Sequence, residues 1–474
     1  MNHAFKKWFA ILFLVILITG MVGVGLCFAS SNAIENSQIN FNKMPGIDTH
    51  GDTPNMIFAV GAGRYAIDIP DSFFPEHGFV GVHDKLYTRT LLMDNGAKRT
   101  ALVVVDFTSL DTEQISGLKE IVSRAGDVDL SNIFICTNHT FSAPHIKSTL
   151  GLTDTEKGKN DILRRALDDS ISNSVTSAKK DMQPAKIGYG VGSCNVNVNR
   201  DLLTAEGWWH GSNEHGISDK DVAVIQFEDL KGNPIAVFMN YAVQSSIMNE
   251  SVLENSGQLV TSDLGGATVR HIEQQYNDNG TIALFTIGAA GDQEPIFTSN
   301  HYTIDKNGQS SRSDIHDAGY VLVDLLGERL GSEAVRVSEG IHAVQSQVPL
   351  RIVKDSVRCK GQLMSAHIAD IHPTKKYNYQ SNGEIDVPIE IMQIGDIALV
   401  GVQPELACQI GIDIKKKSPF KNTVVMTLVN GAAKYMADEN SYDKFTYEAR
   451  NSQYAKGSAE CVEDKILSML ETLK

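Results

Sequence analysis

The sequence has little cysteine, and the cysteines that it has are scattered. Six occur in 474 residues, and no two of them form a Cys-x-x-Cys pair. One of them, Cys27, lies at the end of the N-terminal apolar segment, so an odd number remains for the folded part. Such a set gives no readable disulfide framework, and the absence of Cys-x-x-Cys argues against a zinc site built from thiolates.

An excess of positive charge is also absent. The 42 lysine and arginine residues are outnumbered by 57 aspartate and glutamate residues, and the formal net charge is -15. Because phosphate binding requires clustered basic side chains, this balance argues against nucleic acid as a partner. No linker rich in proline or serine, and no internal repeat, is detectable between Asn55 and Lys474. With 42% hydrophobic residues, the chain is long enough to bury a large core.

Only the N-terminus carries a long apolar run. Two lysines precede this run, which ends near Leu26 and is followed by small residues that suit a signal-peptide cleavage site. We expect residues 1–29 to be a signal peptide, with an uncleaved N-terminal anchor as the alternative. Residues 30–54 are expected to be a polar tether and residues 55–474 one large domain. This organisation predicts a secreted or otherwise extracytoplasmic protein, anchored if the segment is retained.

Apolar runs of strand length alternate with amphipathic helices in the remaining sequence. Ala101–Asp106 is typical of a fully buried strand, and Glu113–Arg124 repeats apolar residues at helical spacing. Turn residues between Asp221–Phe227 and Ile235–Tyr241 predict a hairpin. These patterns predict an α/β fold, a layered mixed β-sheet with flanking helices, in a single large domain of the catalytic type. The other predicted strands are Ile133–Cys136, Lys186–Val191, Ile282–Ile287, Val387–Met392, Ala398–Val402 and Thr423–Val429, and the other predicted helices are Asp161–Ala178, Gly265–Gln275, Ile315–Val337 and Ser458–Leu473.

The most informative segment is Ile135–His145, with the sequence ICTNHTFSAPH. An apolar strand ends here in a small polar loop that is centred on His139. A loop at the end of a buried strand is a common place to hold a metal-binding imidazole at the edge of a pocket. The alternative for His139 is a purely structural one, in which it caps the loop by hydrogen bonding to Thr137 or Ser142.

Seven segments, in order along the chain, resemble the N-terminal catalytic domain of the neutral (non-lysosomal) ceramidase family. They include a glycine–arginine strand, the His139 loop, an Asn-x-Asn-Arg loop, a strand that ends in Gly-Asp-x-x-Pro and a tyrosine-rich segment that ends in Tyr-Glu. The resemblance runs from about Phe58 to the C-terminus, and the common order of the motifs makes it specific. The segments are Gly61–Asp68, Gly81–Met93, Cys136–His145, Asn195–Asp201, Ala283–Pro295, Val402–Ala407 and Asn430–Ser452.

The resemblance implies a zinc amidohydrolase whose metal is held by two histidines, a glutamate and a tyrosine. By position, His139 matches the first histidine, Glu405 the glutamate and Tyr435 the tyrosine. Gln244 stands where the second histidine is expected, and an amide oxygen binds zinc more weakly than imidazole does. We therefore expect Zn²⁺ as the cofactor, with its binding weakened or lost because of Gln244.

Two further positions depart from the family pattern. Phe141 replaces a second histidine near the first metal ligand, and Glu294 replaces the serine of a Gly-Asp-Val-Ser-Pro motif. Arg200 and Tyr447 do match polar residues that surround the substrate amide. The resemblance implies that Tyr447 donates a hydrogen bond to the developing oxyanion and that Arg200 orients the carbonyl or a nearby carboxylate. Glu294 is the expected general base, with Asp292 as the alternative.

Each of these residue types also has a common structural role. A carboxylate that follows proline at a helix start, such as Glu405, interacts favourably with the helix dipole. Most tyrosines, including those at positions like Tyr435 and Tyr447, are explained by packing. Arg200 can belong to a structural salt bridge, and Gln244 can be an ordinary hydrogen-bonded residue at a strand end.

A short segment combines histidine with tryptophan. His210 and His215 lie beside Trp208 and Trp209, which predicts a polar aromatic loop. A surface loop is favoured over a position at the mouth of a substrate pocket.

Together these residues favour a secreted, zinc-dependent amidohydrolase that cleaves an N-acyl amide, of a lipid or of another N-acylated molecule, with metal-activated water. The altered site residues, and the lack of room for the family's C-terminal immunoglobulin-like domain, argue against ceramide itself. The rival interpretation is a catalytically inactive relative that acts as a binding protein, because one metal histidine is Gln244. An esterase or other hydrolase of a cell-surface polymer is a third interpretation. The expected partners are the substrate and a membrane surface that is contacted peripherally, and no oligomeric state is predicted.

Overall fold

The computed structural model describes residues 57–148, 151–276, 280–343, 345–364 and 372–474. The segments predicted as signal peptide and polar tether lie outside these described residues. The described residues belong to one compact unit. Within the described ranges, no helix combines the length and the apolar character needed to cross a membrane. The five cysteines in this part of the chain are free thiols, and all but Cys461 are buried.

The predicted α/β class is confirmed, with sheets that mix parallel and antiparallel pairs. The strands are β1 Ala59–Ile67, β2 Phe79–Val82, β3 Leu86–Asp94, β4 Arg99–Val105, β5 Ile133–Thr137, β6 Gln183–Ser193, β7 Asn197–Thr204, β8 Gly207–Asn213, β9 Asp221–Asp229, β10 Pro234–Tyr241, β11 Gln258–Val260, β12 Ile282–Ile287, β13 Gln293–Pro295, β14 Asn300–Ile304, β15 Ser310–Asp314, β16 Leu350–Gln362, β17 Ser381–Ile394, β18 Ile397–Val402, β19 Glu405–Leu406, β20 Asn422–Met426 and β21 Tyr435–Met436. The α-helices are α1 Thr112–Gly126, α2 Asp154–Lys180, α3 Asp263–Gln275, α4 Gly319–Glu339, α5 Cys408–Lys417, α6 Glu439–Lys444, α7 Tyr447–Arg450 and α8 Ser458–Leu473.

One order of elements occurs three times along the chain. Three antiparallel strands are followed by a helix, by a fourth strand parallel to the third, and by a second helix. The three repeats are β1-β3-β4-α1-β5-α2, β6-β9-β10-α3-β12-α4 and β16-β17-β18-α5-β20-α8. The helix between the third and fourth strands provides the long connection that a parallel pair requires. The sequence shows no internal repeat because the three copies share topology and apolar patterning instead of residue identity.

The strands of the first two repeats join through β1 and β6 into one eight-stranded sheet, and those of the third form a four-stranded sheet. The core lies between the inner faces of the three repeats in these two sheets. Because side chains alternate across a strand, Leu102 of β4, Ile225 of β9 and Leu399 of β18 point into one shared core. The neighbouring Val103 and Val400 point outward and pack under the helices of their own repeats. Each such buried aliphatic side chain contributes about 1.5–3 kcal/mol relative to an exposed one. The helices therefore cover the outer faces of the strands, while the inner faces of the three repeats pack against one another.

Polar caps decide where helices begin, and they extend one helix beyond its apolar pattern. The apolar spacing predicts a helix from Asp161, but α2 begins seven residues earlier. Thr153 accepts a hydrogen bond from the Glu156 backbone N–H at 3.3 Å, and the Glu156 carboxylate accepts one from the Thr153 N–H at 2.8 Å. This reciprocal capping box satisfies two N–H groups that would otherwise be unpaired. The first turns of α2 are therefore helical although they bury little apolar surface.

Two predictions of loop structure are wrong. Asn195–Asp201 was expected as a loop, but most of it belongs to β7, which pairs with both β13 and β8. The segment with Trp208 and His210 was expected as a surface loop, but it forms β8. Both strands alternate polar and apolar residues only weakly. The reason is that they form a small sheet beside the cavity described below, and this sheet is not part of the main core.

The loops that follow the third and fourth strands of the three repeats come together. Ser245, after β10, donates its hydroxyl to the Asn138 carbonyl after β5 at 2.8 Å. The Gly291 N–H, after β12, donates to the Leu406 carbonyl after β18 at 2.9 Å. The Asn430 N–H, after β20, donates to the Ile135 carbonyl at 2.7 Å. Side chains from all three repeats therefore meet at one end of the shared core.

Candidate active site

The seven predicted site residues lie in one cluster, although they span more than three hundred positions of sequence. His139 follows β5, Gln244 follows β10, Arg200 lies on β7 and Glu294 lies on β13. Glu405 on β19 pairs directly with Tyr435 on β21, and Tyr447 begins α7. Contacts among these residues bring them together, and all of them except His139 and Glu405 line one cavity. The residues are His139, Arg200, Gln244, Glu294, Glu405, Tyr435 and Tyr447.

His139 is held rigidly between a backbone carbonyl and a carboxylate. Its backbone is in the left-handed region, with φ 57°, which L residues adopt only where neighbours enforce it. Its Nδ1 lies 2.5 Å from the Thr108 carbonyl oxygen, and its Nε2 lies 2.9 Å from Oε2 of Glu405. Because a carbonyl can only accept, Nδ1 must carry the donated proton, and in the neutral ring Nε2 then has the lone pair. The ring is buried, with 4% of its surface exposed.

Glu405 is an ionised acceptor at the bottom of the site. Burial by itself would raise the pKa of Glu405, but His139 and Arg200 outweigh burial and hold that pKa below its ordinary value. Its Oε2 lies against Nε2 of His139, the ring atom that is left as an electron-pair donor once Nδ1 donates to Thr108. Two electron-pair donors only 2.9 Å apart need a cation between them, and that cation is either a proton or a metal ion.

Gln244 is satisfied entirely by protein groups. Its Nε2 amide donates to Oε2 of Glu405 at 2.9 Å and to the Ala290 carbonyl at 3.3 Å, while its Oε1 accepts from Arg200 at 3.2 Å. In the opposite orientation, the amide N–H groups would face the guanidinium of Arg200, which is also a donor. The amide oxygen would then face two acceptors, the Glu405 carboxylate and the Ala290 carbonyl. Hydrogen bonding therefore turns the only metal-binding atom of this side chain toward Arg200.

Arg200 is a buried cation that is surrounded by acceptors and aromatic rings. It donates to Glu448 at 2.6 Å and to the Gly291 carbonyl at 2.7 Å, and its guanidinium lies 5.1 Å from the Tyr435 ring centre and 5.8 Å from that of Tyr447. Burial by itself would lower the pKa of Arg200, but Tyr435 and Glu448 outweigh it and raise that pKa. The guanidinium is therefore a permanent positive charge beside the cavity.

A pair of buried carboxyl groups stands behind Arg200. Burial and the neighbouring Glu448 raise the pKa of Asp201 well above its ordinary range, so Asp201 is protonated and hydrogen-bonds to Glu448. Glu448 itself keeps a lowered pKa, because Arg200 outweighs the effect of burial. This arrangement leaves one negative charge to balance Arg200. Sequence reasoning missed Glu448, although it follows Tyr447 directly in the tyrosine-rich motif.

The two predicted tyrosines are neutral hydrogen-bonding groups at the cavity. Burial raises the pKa of both Tyr435 and Tyr447, so neither phenol ionises near neutral pH. Their ring centres are 5.8 Å apart. Tyr447 accepts a hydrogen bond from Asn451 at 3.1 Å, which leaves its own O–H free to donate.

Glu294 is one of three carboxyl groups that line the cavity, with Glu206 and Glu250, and it is the one beside Arg200. Burial raises its pKa to about 7; Arg200 acts against this rise and Glu448 adds to it. A carboxyl group with this pKa can accept and return a proton near neutral pH. Asp292, the alternative base, has a pKa raised by burial to about 6, but its oxygens bind the Cys408 N–H at 2.8 Å and the Asn199 amide at 3.0 Å. Its position is structural.

A cavity of about 650 Å³ opens beside this cluster. Phe141 lies at its wall, and its ring centre is 4.6 Å from that of His139, so the side chain that replaces a family histidine covers the imidazole. His210, which was predicted in a surface loop, also lines the cavity and lies 4.5 Å from the Tyr447 ring. The adjacent tryptophans were the only signal in the sequence that could have placed His210 in a pocket.

The donor set of the cluster fits a divalent metal ion in part. His139 has its Nδ1 anchored by a backbone carbonyl, which is the usual second contact of a metal-binding histidine, and its Nε2 points at a carboxylate. With Tyr435 these residues provide three donors, the number in a typical catalytic zinc site. Gln244 provides none as it is oriented. No group of three or more histidine, cysteine, aspartate or glutamate residues occurs in the described part of the chain, so such a site depends on tyrosine.

Comparison with known proteins places the site in context. Residues 75–316, 242 of the 474, match the family model described as neutral/alkaline non-lysosomal ceramidase, N-terminal. This stretch contains His139, Arg200, Gln244 and Glu294. A neutral ceramidase of Pseudomonas aeruginosa is 26% identical over 235 residues, which are 46% of this chain and 33% of that protein. Neutral ceramidase B of Dictyostelium discoideum is 25% identical over 323 residues, which are 62% of this chain and 42% of that protein.

The fold is similar to that of solved ceramidases. The crystal structure of neutral ceramidase from Pseudomonas aeruginosa has a TM-score of 0.67 at 16% identity, and the match covers 88% of this chain and 74% of that one. A structure described as ceramidase complexed with C2 gives the same TM-score at 15% identity. The likeness to the solved structures, at 15–16% identity, establishes the fold alone. The matched regions span only 33% and 42% of the two curated relatives, and the activity is therefore left open.

Proposed function

Because this chain belongs to the neutral/alkaline non-lysosomal ceramidase family, we propose that it hydrolyses the amide bond of an N-acylated amine. The observation that supports this most strongly is the pair His139 and Glu405. A buried imidazole nitrogen and a carboxylate oxygen face each other at 2.9 Å, beside a cavity lined by a guanidinium, two phenols and a carboxyl group with a pKa of about 7. These are the groups that amide hydrolysis requires.

The metal part of the proposal is that His139, Glu405 and Tyr435 hold a divalent ion, Zn²⁺ being the one that the family resemblance implies. Such an ion supplies Lewis acidity and lowers the pKa of water to about 7. Gln244 then has the role of a support, because its N–H group holds the carboxylate of Glu405 in place. Fewer donors than the family pattern provides imply weaker binding.

The protein groups position the amide and stabilise charge. The permanent charge of Arg200 and the free O–H of Tyr447 face the cavity, so both can donate to the carbonyl oxygen as it gains negative charge. Removing one donor of this kind typically lowers kcat by a factor of about 10²–10³. Arg200 is held in place by Glu448 and Gly291, so it needs no reorganisation during the reaction.

Glu294 carries the proton. Its carboxylate accepts one proton from the attacking water, whose oxygen forms the new bond to the amide carbon. The same carboxyl group then donates that proton to the nitrogen as the C–N bond breaks, and a carboxylic acid and an amine leave. A pKa of about 7 suits both steps, since the two forms of Glu294 are equally populated near neutral pH.

One observation favours a second candidate, a binding protein without catalysis. Gln244 turns its oxygen to Arg200, and a single proton between His139 and Glu405 would satisfy both of them without a metal ion. In that case the cavity and its polar walls would remain while the Lewis acid would be missing. Export and peripheral contact with a membrane stay predictions from the N-terminal sequence.

Metal analysis separates the two candidates. The untagged protein, purified without chelator and incubated with one equivalent of ZnCl₂, is dialysed and its zinc is measured, with His139→Ala as the control variant. A hydrolase of the proposed kind retains zinc near stoichiometry, the variant does not, and release of acetate from N-acetyl amides depends on the metal. No retained zinc in the wild-type protein would reject the metal part of the proposal. An absence of acetate release with zinc retained would reject amide hydrolysis.

A further inference from the structure

The cavity beside the candidate active site has unusually polar walls. Glu206, Glu250 and Arg312 carry charge, and Asn249 and Asn300 carry amide groups. Pockets for small molecules are mostly apolar, with a few polar groups that fix orientation. Here most of the lining side chains can form hydrogen bonds, and few are purely hydrocarbon. The walls therefore select for a ligand that is itself rich in hydrogen-bonding groups.

One polar wall is a built feature of the fold. It is the hairpin of β14 and β15, which the sequence patterns did not predict. Asp314 at the end of β15 accepts hydrogen bonds from the Ser251 hydroxyl at 2.7 Å and from the Val252 N–H at 3.0 Å. Asn300 at the start of β14 donates to the Glu250 carbonyl at 3.0 Å, and Arg312 forms an ion pair with the Glu250 carboxylate. These bonds hold the hairpin against the loop that carries Glu250.

Where the hairpin meets β8, the cavity offers flat, uncharged aromatic surface. The rings of His210 and Tyr302 are stacked at 5.6 Å with planes 15° apart, and His210 also contacts Tyr447. Burial, together with the nearby charge of Arg200, lowers the pKa of His210 to about 3, so the ring is neutral at physiological pH. Arg312 lies 5.1 Å from the face of Tyr302. Aromatic faces beside carboxylates and amides suit a compact ligand that has both C–H surfaces and hydroxyl groups.

A long alkyl chain would be a poor occupant of this cavity. It would remove water from the charged and amide groups without replacing their hydrogen bonds, at about 1–3 kcal/mol for each group left unpaired. Sites built to bind hydroxyl groups reject analogues that lack them by large factors for the same reason. Hydroxyl groups on the substrate would instead pair with Glu206, Asn249 and Asn300.

We infer that the substrate is a compact N-acylated amine that bears several hydroxyl groups, such as an N-acetyl amino sugar, and not an amide with long alkyl chains. This inference rests on the proposed function and assigns its substrate class. The polar hairpin wall and the aromatic surface formed by His210 and Tyr302 are the features that would recognise the hydroxylated part. The amide itself would lie toward Arg200 and Tyr447.

Two substrates with the same acyl group test the inference. The full-length protein is assayed for acetate release from N-acetylglucosamine and from N-acetylsphingosine, both in the same detergent and with ZnCl₂. We expect kcat/KM to be at least about tenfold higher for N-acetylglucosamine. Equal values, or a preference for N-acetylsphingosine, would overturn the assigned substrate class and leave amide hydrolysis standing.

A pair of variants on one strand of the hairpin makes the test specific. Tyr302 lines the cavity, whereas the adjacent Thr303 is exposed and does not. Tyr302→Ala should raise KM for N-acetylglucosamine at least about threefold with little change in kcat, and Thr303→Ala should change neither. Equal behaviour of the two variants would argue against the aromatic surface as a recognition element.

If the protein hydrolyses neither amide, the proposed function is rejected. Measurement of ligand binding then decides whether the cavity takes a hydroxylated ligand. In isothermal titration calorimetry, binding of N-acetylglucosamine to the wild-type protein, weakened by Tyr302→Ala, would support the hydroxylated ligand. No binding at millimolar concentration would overturn it.

Discussion

Glu294 shows how one substitution can change the chemistry of a site. Where the family resemblance leads to serine, this chain has a carboxyl group that faces the cavity and is close enough to Arg200 and Glu448 for both to affect its pKa. A serine hydroxyl does not titrate near neutral pH and is a poor general base, whereas a carboxyl group with a pKa of about 7 can accept and return a proton. In the proposed mechanism, Glu294 takes the proton-carrying role that the family resemblance would give to a histidine at the position of Phe141.

Glu294→Gln should lower kcat for amide hydrolysis by a factor of about 10²–10⁴, because the amide cannot accept a proton from water. In the wild-type protein kcat/KM should rise with pH through an apparent pKa near 7, since the base must be deprotonated. Acetate release measured from pH 5 to pH 9 checks both expectations, and Glu294→Asp, which keeps a carboxyl group, is the control. If Glu294→Gln retains full activity, or if its kcat/KM rises with pH through the same apparent pKa, Glu294 is not the base.

Gln244→His should strengthen zinc binding. An imidazole cannot reproduce the amide's hydrogen bonds to Arg200 and Glu405, but it adds a nitrogen lone pair to the three donors already present. We expect the Kd for zinc to fall at least about tenfold, measured by competition with a chromogenic chelator. Gln244→Asn keeps an amide and should give no such gain. If the histidine variant binds zinc no more tightly than the wild type, the metal does not lie between these residues.

At the scale of elements, Asp84 fastens the start of α3 to the loop after β2. It accepts hydrogen bonds from the Ser262 N–H at 3.0 Å, from Arg270 at 2.9 Å and from the hydroxyl groups of Thr261 and Ser262. Burial by itself would raise the pKa of Asp84, but His83, Arg270 and these donors outweigh burial and hold it at about 2. The carboxylate thus fixes the two residues that precede α3 and one arginine of the helix.

Asp84→Asn should lower the free energy of unfolding by about 2–4 kcal/mol, because it breaks a mostly buried ion pair and several charge-assisted hydrogen bonds. The folded pKa of about 2 lies below the unfolded value of 3.8, so the carboxylate stabilises the fold above about pH 4 and loses that effect as the pH falls toward 2. Urea unfolding at pH 5 and pH 2.5 checks this. The exposed Asp68→Asn is the control, and an equal acid response in both variants would contradict the assignment.

At the scale of the whole molecule, the site depends on all three repeats. The first contributes His139, the second Gln244, and the loops of the third contribute Glu405 and Tyr435. Because the three inner faces share one core, loss of any repeat exposes the others. Folding and activity should therefore be lost together, in one cooperative transition.

A buried residue of α8 tests this coupling from a distance in sequence. Leu470 is fully buried under the four-stranded sheet of the third repeat. Leu470→Ala should lower the free energy of unfolding by about 2–5 kcal/mol. Fluorescence and activity, followed in parallel in urea, should shift to the same lower midpoint. Glu471 is the adjacent, exposed residue, and Glu471→Ala should change the free energy of unfolding, followed by either probe, by no more than about 0.5 kcal/mol. Activity that survives after the fluorescence transition of the Leu470 variant would show that the third repeat is not needed.

The sequence by itself determined the class of fold, and it predicted residues that the structure brings together at the candidate site. Strand Ala101–Asp106 and helix Glu113–Arg124 were readable because the period of apolar residues reflects local backbone geometry, which needs no distant partner. The order of the family motifs likewise identified all seven residues that the structure brings together, from His139 to Tyr447. Local patterning and motif order are properties of the chain that exist before it folds.

Only the tertiary structure decided what those residues can do. The Gln244 amide is oriented by Arg200 on β7 and by Glu405 of the third repeat, both distant in sequence, and no local pattern reports that orientation. The same holds for the pKa of Glu294, which is set by burial and by charges distant in sequence, and for the polar wall that β14 and β15 place over the cavity. Hydrogen-bond direction, burial and charge depend on which groups meet, and that is settled only when the three repeats pack together.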